Sequence, residues 1–365
     1  MHFFNTHTNY FLLSAVFCLS VVVSLVCTYA VRAFAWKKGI VDAPDGERKR
    51  HARPVALLGG LAVACSLWLV VGFFVLLYPE LILGKVSLGK LGSVLVASIA
   101  LIMLGSVDEK HPLSPRPRFV LTLGIAAIPI LGGIGLDGVT NPFGSGTIGL
   151  DKPSFTVPFL QTTLILGDVV VFAWLLGMMY TTKLLDGLDG LSTGIAAIGS
   201  AMIFVLTQTT RFFQPDVGML ALIFTGVCVG FLVFNTKPAS IFLGESGSLF
   251  LGFFLGILAV ISGGKIATAL LVMALPILDV VRVIIVRILR KRSITQGDRE
   301  HLHFRLLELG LGERGVVMVF YLVAFFFGTT TFFLPSSGKI VALAAAFFGM
   351  VFFSIFLYRR SSSVT

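Results

Sequence analysis

Five carboxylates lie in short polar turns between long apolar runs, where their type and spacing suit work on phosphate groups. Asp186 and Asp189 occur in "KLLDGLDGLSTG", Asp108 and Glu109 in "GSVDEKHP", and Glu245 in "GESGS". A carboxylate beside an apolar span is costly to desolvate, so several of them gathered at one membrane face indicate a metal or phosphate site. Ordinary loop solvation is the alternative, and it has most weight for the acidic residues of the longest charged loops.

Helices that cross a membrane must position these carboxylates, because the chain is too apolar for a soluble protein. Of its 365 residues, 56% are hydrophobic and 13% are charged, whereas soluble domains are about 25% charged. Apolar runs long enough to cross a bilayer as a helix recur along the whole chain. We predict an all-α polytopic membrane protein, one domain over residues 1–365, with eleven transmembrane helices at 10–33, 54–78, 90–107, 118–136, 162–182, 189–209, 217–235, 246–262, 266–289, 316–334 and 338–358.

The basic residues are divided unequally between alternate loops of this topology. With eleven spans, 22 of the 28 Lys and Arg fall on one side and 6 on the other. The basic side of a membrane protein faces the cytoplasm. We therefore expect a protein of the inner or plasma membrane with its N-terminus on the outer side and its C-terminus in the cytoplasm. This topology and anionic lipids account for the net charge of +10 without a nucleic-acid partner. The expected cytoplasmic catalytic loops are approximately 34–53, 108–118, 183–189, 235–248 and 290–315.

Four stretches on the predicted cytoplasmic side occur in a characteristic order. They are "GSVDEKHPLSPRPRF", "KLLDGLDGLSTG", "FNTKPASIFLGESGSLFLG" and "GDREHLHFRLLELG". Together they resemble the motifs of the polyprenyl-phosphate N-acetylhexosamine-1-phosphate transferase superfamily. This superfamily includes the translocase that begins peptidoglycan lipid synthesis and the enzymes that load N-acetylglucosamine phosphate onto a lipid carrier for O-antigen and teichoic acid. The resemblance covers about residues 39–310, and the two spans after it are more similar to the O-antigen and teichoic-acid branch.

The resemblance implies transfer of a sugar 1-phosphate, with N-acetylglucosamine 1-phosphate as the first candidate, from a UDP-sugar to polyprenyl phosphate, with release of UMP. Such a transfer depends on neutralising and aligning the diphosphate. Mg²⁺, or Mn²⁺ in its place, does so with one or two carboxylates and the phosphate oxygens. Glu245 takes the position of the family's metal-ligating Asp and is one methylene longer, and Asp108 would assist it. A cleft open sideways to the lipid would admit the polyprenyl tail.

Further site residues follow from the family positions. The pair Asp108 and Glu109 matches an Asp-Asp pair near the lipid phosphate, where we favour positioning over base catalysis because a phosphate monoester is already mostly dianionic at neutral pH. Asp186 and Asp189, expected on one face at the start of a helix, would contact the nucleotide or order the groups around the metal. The implied substrate-binding residues are Phe242, as the ring on uracil, and Asn235, His51, Arg53, Arg299 and Arg305. Core or lipid packing is the alternative for Phe242 in a chain with 34 phenylalanines.

His301 and His303 lie in the most basic loop. They would share one side of an extended segment, or point about 200° apart in a helix. A closed zinc site usually has four His or Cys ligands, and two histidines without clustered cysteines argue against such a site. By resemblance they donate hydrogen bonds to the diphosphate or sugar, and a third histidine of the family is Phe304 in this chain.

Lys183 stands where the family commonly has Asn. A protonated lysine cannot ligate a metal, so we hypothesise that Lys183 binds a diphosphate oxygen or pairs with Glu245 and relaxes the metal requirement. A relative with altered catalysis, serving as a binding or assembly subunit, is the first alternative, although every acidic position is still acidic. A secondary transporter is the second, and its site would lie near the bilayer midplane. The sugar, the polyprenol length and the oligomeric state, including a homodimer, stay open.

Overall fold

The chain is mostly helical. The computed structural model describes residues 9–44, 53–111, 113–141, 144, 146–157, 162–263, 265–289, 291 and 301–361. Within these ranges the helices are α1 (Asn9–Lys37), α2 (Gly59–Leu77), α3 (Leu88–Lys110), α4 (Pro115–Leu131), α5 (Leu166–Leu185), α6 (Leu191–Gln208), α7 (Pro215–Asn235), α8 (Gly244–Ile261), α9 (Ile266–Val272), α10 (Ala274–Leu289), α11 (Leu302–Glu308), α12 (Glu313–Phe333) and α13 (Ser336–Ser361). Short 3₁₀ helices cover Pro79–Ile82 and Thr210–Phe212.

In the described part of the chain, eight helices are long and apolar enough to cross a membrane, namely α1, α2, α3, α5, α6, α7, α8 and α12. A ninth span results if α9 and α10, which are bent by 76° at their junction, count as one. The chain is therefore a polytopic helical membrane protein. The other two predicted spans also contain helices, but α4 has only 17 residues, about 26 Å at 1.5 Å per residue against a hydrocarbon core of about 30 Å. In α13 the apolar helix that meets the composition test is Ser336–Met350.

Three short antiparallel hairpins correct the expectation of a purely helical chain. Strands β1 (Val41–Asp42) and β2 (Val55–Ala56) form the first, β3 (Gly138–Thr140) and β4 (Thr147–Gly149) the second, and β5 (Ser154–Val157) and β6 (Thr162–Ile165) the third. In the third hairpin Phe155 pairs with Leu164. The predicted span at 162–182 was therefore wrong at its start, because residues 162–165 pair with β5 and the helix begins at Leu166. We call the end of the bundle with the second and third hairpins the hairpin end.

Helix α8 lies at the centre of the bundle. It packs against α2, α3, α5 and α6, and its residues from Ser246 to Val260 are buried. Phe250, Phe253 and Phe254 are among the largest fully buried side chains of the core. A helix that is apolar all round belongs in the middle of such a bundle, so neighbouring helices on several sides determine where the first turn of α8 lies.

Small and polar residues let α5 approach α8 closely. A Cβ on Gly252 would lie 2.4 Å from the carbonyl oxygen of Met178, so only glycine fits at this crossing. One turn nearer the start of α8, the Thr182 hydroxyl donates to the Ser248 carbonyl oxygen at 2.8 Å. Small residues at such crossings are the usual means of close helix packing in membranes. The crossing brings Lys183, the next residue of α5, to the first turn of α8.

Candidate active site

Close backbone contacts position Glu245 in the first turn of α8. A Cβ on Gly60 would lie 2.4 Å from the amide nitrogen of Gly247, and one on Gly105 would lie 2.0 Å from the Cβ of Ser246. Helices α2 and α3 therefore pack on this turn backbone to backbone. Gly60 and Gly105 thus serve a packing need, and this packing holds the Glu245 carboxylate at a fixed place between α3 and α5.

Two carboxylates and two cations alternate at this end of the bundle. The Nη1 atom of Arg118 donates to Asp108 Oδ2 at 3.0 Å and to Glu245 Oε2 at 2.9 Å. Lys183 Nζ donates to the other oxygen, Glu245 Oε1. These side chains come from α3, α4, α5 and α8, and we call them the charge chain. The hypothesised pairing of Lys183 with Glu245 is present.

Arg118 is the member of the charge chain that sequence reasoning missed. It was one of the basic residues that indicate the cytoplasmic side, inside the quoted stretch "PLSPRPRF". Its position in the first turn of α4 was the only available signal, because that turn follows Asp108 by a short loop. The loop is tied to the same carboxylate, since the Leu113 amide donates to Asp108 Oδ1 at 2.8 Å.

Glu109 follows Asp108 near the end of α3 and lies over the start of α8. Its Oε1 is 3.5 Å from the Ser246 hydroxyl, and a Cβ on Gly244 would lie 2.0 Å from the same oxygen. Its Oε2 is buried and has no hydrogen-bond partner among the residues that the structure describes. A buried carboxylate oxygen without a partner is costly, so this atom has capacity for a ligand.

Asp186 and Asp189 lie in the turn between α5 and α6, which corrects the expectation that they share the first turn of a helix. Helix α6 begins only at Leu191, because Gly190 has a φ of +79°, outside the right-handed helical region. Loss of hydration raises the pKa of Asp186 to about 7; the charge of Asp189 adds to this shift, and a hydrogen bond from Ser192 opposes it.

Asp189 anchors the loop that leads into α8. Its Oδ2 accepts a hydrogen bond from the Ala239 amide at 3.0 Å. The same loop is tied to α12, because Lys237 Nζ pairs with Glu313 and the Lys237 carbonyl accepts from Arg314 Nη2 at 2.8 Å. One carboxylate oxygen of Asp189 therefore has a structural task in the described part of the chain.

Asn235 and Phe242 border this loop. The Asn235 side chain is 4% exposed; its Nδ2 donates to the Ile241 carbonyl at 3.0 Å and its Oδ1 accepts from the Thr193 hydroxyl at 3.2 Å. The amide thus ties α6, α7 and the loop together, and its expected contact with a nucleotide stays a prediction. Phe242 is half-buried, and its backbone carbonyl accepts from the Gly59 amide at 3.0 Å.

A buried carboxylate orients the first histidine. Asp279 Oδ2 lies 3.0 Å from His301 Nδ1 and accepts from the Leu302 amide at 3.0 Å, while Oδ1 accepts from Arg282 at 2.7 and 3.1 Å. A carboxylate at Nδ1 favours the proton on that nitrogen and leaves Nε2 as the free acceptor. Sequence reasoning had counted Asp279 only as an acid near the expected cytoplasmic face.

His303 lies over the "DGLDG" turn. Its Nε2 would be 2.5 Å from a Cβ on Gly187, and it is buried without a hydrogen-bond partner among the described residues. His303 is in α11, but His301 lies just before this helix and has an extended backbone. The two rings therefore do not point in helical directions and instead stack, with centroids 5.8 Å apart and planes 8° apart. Burial lowers the pKa of His303 to about 4, the charge of Asp279 opposes this shift, and His301 adds to it. His303 is therefore neutral at pH 7.

The remaining predicted residues are placed less closely. Arg53 is exposed just before β2, and Arg305 is half-buried in α11. His51 and Arg299 lie outside the described residues. The structure thus brings Asp108, Lys183 and Glu245 together through Arg118. It also places His303 against the turn that contains Asp186 and Asp189.

Oxygen ligands dominate what a metal would meet at this site. In the described ranges no group of three or more His, Cys, Asp and Glu side chains converges, so the arrangement differs from a closed zinc site. Carboxylate oxygens of Asp108 and Glu245 meet at one nitrogen of Arg118, at 3.0 and 2.9 Å. The unpartnered oxygen of Glu109 lies beside the same helix terminus. Two carboxylates with room for outside ligands fit a hard divalent ion such as Mg²⁺.

Similarity to known proteins extends along nearly the whole chain. Residues 91–263 match glycosyl transferase family 4. A probable undecaprenyl-phosphate N-acetylglucosaminyl 1-phosphate transferase of Bacillus subtilis is 31% identical over 348 residues, covering 93% of this chain and 89% of that protein. Decaprenyl-phosphate N-acetylglucosaminephosphotransferase of Mycobacterium tuberculosis is 29% identical over 371 residues, with coverages of 93% and 87%. Phospho-N-acetylmuramoyl-pentapeptide-transferase of Staphylococcus epidermidis is 32% identical over 157 residues, 42% of this chain and 48% of that protein.

Proposed function

The chain belongs to glycosyl transferase family 4, and we infer that it transfers a sugar 1-phosphate from a UDP-sugar to a polyprenyl phosphate and releases UMP. The names of the Bacillus and Mycobacterium relatives specify N-acetylglucosamine phosphate and undecaprenyl or decaprenyl phosphate. We propose the same sugar for this chain, with UDP-N-acetylglucosamine as the donor. The product would be a lipid-linked sugar diphosphate, the first membrane intermediate of a cell-envelope glycan.

The observation that carries this function is the charge chain. Side chains far apart in sequence, Asp108, Arg118, Lys183 and Glu245, meet at one end of the bundle. An apolar bundle gains nothing from burying these groups for stability alone, because desolvating ions is costly. Their convergence also argues against a relative that has lost catalysis, because nothing would then maintain the contacts between these carboxylates and cations. A transporter site would lie nearer the middle of the spans.

The reaction needs positioning and charge stabilisation more than proton transfer. An oxygen of the acceptor phosphate attacks the sugar-bearing phosphorus of the donor, a new P–O bond forms, and the P–O bond to UMP breaks, so that UMP leaves with the electron pair. The acceptor is already mostly dianionic at neutral pH and needs no base. Arg118 and Lys183 are cations that can donate to diphosphate oxygens. His301 Nε2, left as an acceptor by the carboxylate at Nδ1, can accept from a sugar hydroxyl, and His303 Nε2, without a partner among the described residues, can bond the sugar or phosphate.

We propose that Mg²⁺, with Mn²⁺ as a substitute, binds Glu245 and Asp108. When bound, such an ion neutralises charge on the diphosphate. The convergence of the two carboxylates at Arg118 and the unpartnered Oε2 of Glu109 support this assignment. The Bacillus and Mycobacterium names leave the metal open.

The finer topology is part of the proposal. The unequal distribution of Lys and Arg supports eleven crossings, an outer N-terminus, and a cytoplasmic C-terminus and active site in the inner or plasma membrane. A homodimer stays a prediction.

Release of UMP by purified protein tests the function. Reconstituted protein is incubated with undecaprenyl phosphate, Mg²⁺ and a panel of UDP-N-acetylhexosamines, and both UMP and the lipid product are measured. Glu245→Gln should reduce UMP release by on the order of 100-fold or more. Glu80→Gln, which neutralises an exposed carboxylate at the hairpin end, is the matched control and should be fully active. Absence of UMP with every sugar, while the protein is folded, would contradict the proposal.

A further inference from the structure

Basic residues are scarce at the hairpin end of the bundle, yet half of them gather in one place. Six of the 28 Lys and Arg lie in the segments at this end, Lys85, Lys90, Lys152, Arg211, Lys265 and Lys339. Lys85, Lys265 and Lys339 are close enough for their charges to interact. They come from the α2–α3 loop, the α8–α9 loop and the first turn of α13. Three like charges from three separate elements need an explanation, because repulsion between them opposes the packing.

Nitrogen donors converge over the turn that ends α8. Gly263 has a φ of +77° in this turn, and a Cβ at this residue would lie 2.9 Å from Lys85 Nζ and 3.9 Å from Gln214 Nε2. Lys265 Nζ donates to Gln214 Oε1 at 3.4 Å and lies 5.5 Å from the centroid of the Phe212 ring. Two ammonium groups and one amide NH₂ thus gather around this turn.

Direct pairing with a carboxylate does not account for Lys85 and Lys265 in the described part of the chain. Among the described residues, Lys85 and Lys265 have no carboxylate within 4.0 Å. The charge of Asp216 does reach Lys265, and the Asp216 Oδ2 accepts from the Val86 amide at 3.0 Å, which holds that loop. Burial, together with the charges of Lys85 and Lys339, lowers the pKa of Lys265 to about 8, and Asp216 opposes the shift.

Simple extension of lysines towards water does not explain the arrangement. A lysine at the end of a transmembrane helix normally buries its stem and keeps its ammonium in solvent. Lys265 is only 7% exposed, so its ammonium is held inside the cluster, whereas Lys85 is exposed. A buried cation with an exposed cation beside the same turn is an arrangement that an anion can reach from outside.

We propose that Lys85, Lys265 and Gln214 bind a phosphate group at the hairpin end, and that the headgroup of an acidic phospholipid supplies it. Ammonium groups bind phosphate as point charges, and the Gln214 amide adds a neutral donor. All three residues lie just beyond the ends of membrane-spanning helices, which is the depth of lipid phosphates. The site is separate from the charge chain, which lies at the opposite ends of α3 and α8. A bound lipid would join α7, α8 and the α2–α3 loop.

Retention of lipid by purified protein tests this site. The protein is exchanged into mixed phosphatidylglycerol and phosphatidylcholine nanodiscs, and lipids that stay bound after release are counted by native mass spectrometry. Lys265→Gln and Lys85→Gln should each weaken phosphatidylglycerol retention about tenfold, the effect of one charge-assisted hydrogen bond. Lys265→Arg should retain it. Lys152→Gln, which removes an exposed cation at the same end, is the matched control.

A second arm separates lipid from free phosphate. Inorganic phosphate is added to the nanodiscs at increasing concentration. Retention of phosphatidylglycerol that persists, and that only the two cluster variants lose, supports a lipid site. Displacement by inorganic phosphate at low concentration supports the phosphate site and overturns the lipid source. Equal retention of both lipids, or losses in Lys152→Gln as large as in Lys85→Gln, overturn the proposal. Lys85 is exposed, so its variant tests the site even where Lys265→Gln does not fold.

Discussion

Lys183 offers the sharpest test of how the site handles charge. It holds one carboxylate oxygen of Glu245, and Arg118 holds the other at 2.9 Å. A divalent ion that binds Glu245 must displace at least one of these cations or share a carboxylate oxygen with it. Lys183→Asn removes one cation and leaves a shorter neutral amide. We therefore expect the variant to bind a divalent ion more tightly in the absence of nucleotide sugar.

The size of the effect follows from the exposure of the pair. The side chains of Lys183 and Glu245 are 23% and 20% exposed. A hydrogen bond to a charged group contributes about 1.5–3 kcal/mol, and partial exposure reduces this to about 1–2 kcal/mol. If the ion no longer has to break this contact, its affinity should rise about 5- to 30-fold, because about 1.4 kcal/mol corresponds to a factor of ten.

Electron paramagnetic resonance of Mn²⁺ measures this affinity without turnover. Free Mn²⁺ is titrated with wild type, Lys183→Asn and Lys110→Gln, the last being the control because Lys110 is an exposed cation at the same end of α3. UMP release is measured in parallel against Mg²⁺ concentration. The half-saturating Mg²⁺ concentration should fall in Lys183→Asn, and maximal turnover should fall as well if Lys183 also binds the diphosphate.

The outcome that refutes this reasoning is equal Mn²⁺ affinity in wild type and Lys183→Asn. An increase of the same size in Lys110→Gln would show a general effect of net charge and would also count against it. Unchanged turnover together with an unchanged Mg²⁺ dependence would remove Lys183 from the mechanism altogether.

Three further outcomes follow from the packing and the titrating groups. Gly194→Ala should destabilise the protein by about 1–3 kcal/mol in thermal unfolding, because its Cβ would lie 2.0 Å from Tyr321 Oη, whose 2.6 Å hydrogen bond to a backbone carbonyl would break. Asp279→Asn should reduce kcat about 10- to 100-fold and shift the pH profile of kcat, because His301 loses the carboxylate that sets its tautomer. The stability of wild type relative to His303→Gln should fall as the pH is lowered from about 6.5 to 4, by up to about 3 kcal/mol, because the unfolded wild-type chain binds a proton at His303 that the folded chain, with a pKa of about 4, does not. The raised pKa of Asp186, about 7, acts in the opposite direction and is present in both proteins.

Each of these outcomes has a control. Gly124→Ala should be neutral, since nothing lies within 4 Å of the added Cβ; an equal loss there would contradict the steric reason. Asp279→Glu should restore part of kcat, and a variant Asp279→Asn with normal kcat and pH profile would show that orientation of the histidine is irrelevant. If the difference in stability between wild type and His303→Gln does not change with pH, His303 makes no such contribution.

Much of the site could be predicted because a helical bundle has only two ends. Once the spans are drawn, Asp108 and Glu245 must lie at the same end, although 137 residues separate them. The motif glycines also have a local meaning that the sequence carries, since Gly105 leaves no room for a Cβ against α8. Which carboxylate meets which cation could not be predicted, because a loop charge at a helix start, such as Arg118, looks the same whether it contacts lipid or a carboxylate.

Tertiary geometry decided the rest. Asp279 belongs to an apolar run that reads as one straight span, and its contact with His301 accompanies a 76° bend between α9 and α10. No local sequence pattern indicated that bend. The run from Thr162 reads as the start of a helix, and its pairing with β5 depends on a partner strand outside the helical pattern. The left-handed conformation of Gly190 likewise delays α6 beyond the two aspartates.

The charge chain also limits how far built-in cations can replace a metal. Asp108 and Glu245 carry two negative charges, and Arg118 and Lys183 carry two positive ones, so the four side chains are balanced before any substrate arrives. A UDP-sugar diphosphate and an acceptor phosphate together add about four negative charges. If the two cations move from the carboxylates to the phosphates, the site has the same excess of about four negative charges, because the two carboxylates are then uncompensated. Lys183 can therefore weaken the dependence on a divalent ion, but it cannot abolish it, and activity that survives complete chelation of divalent ions would contradict this charge balance.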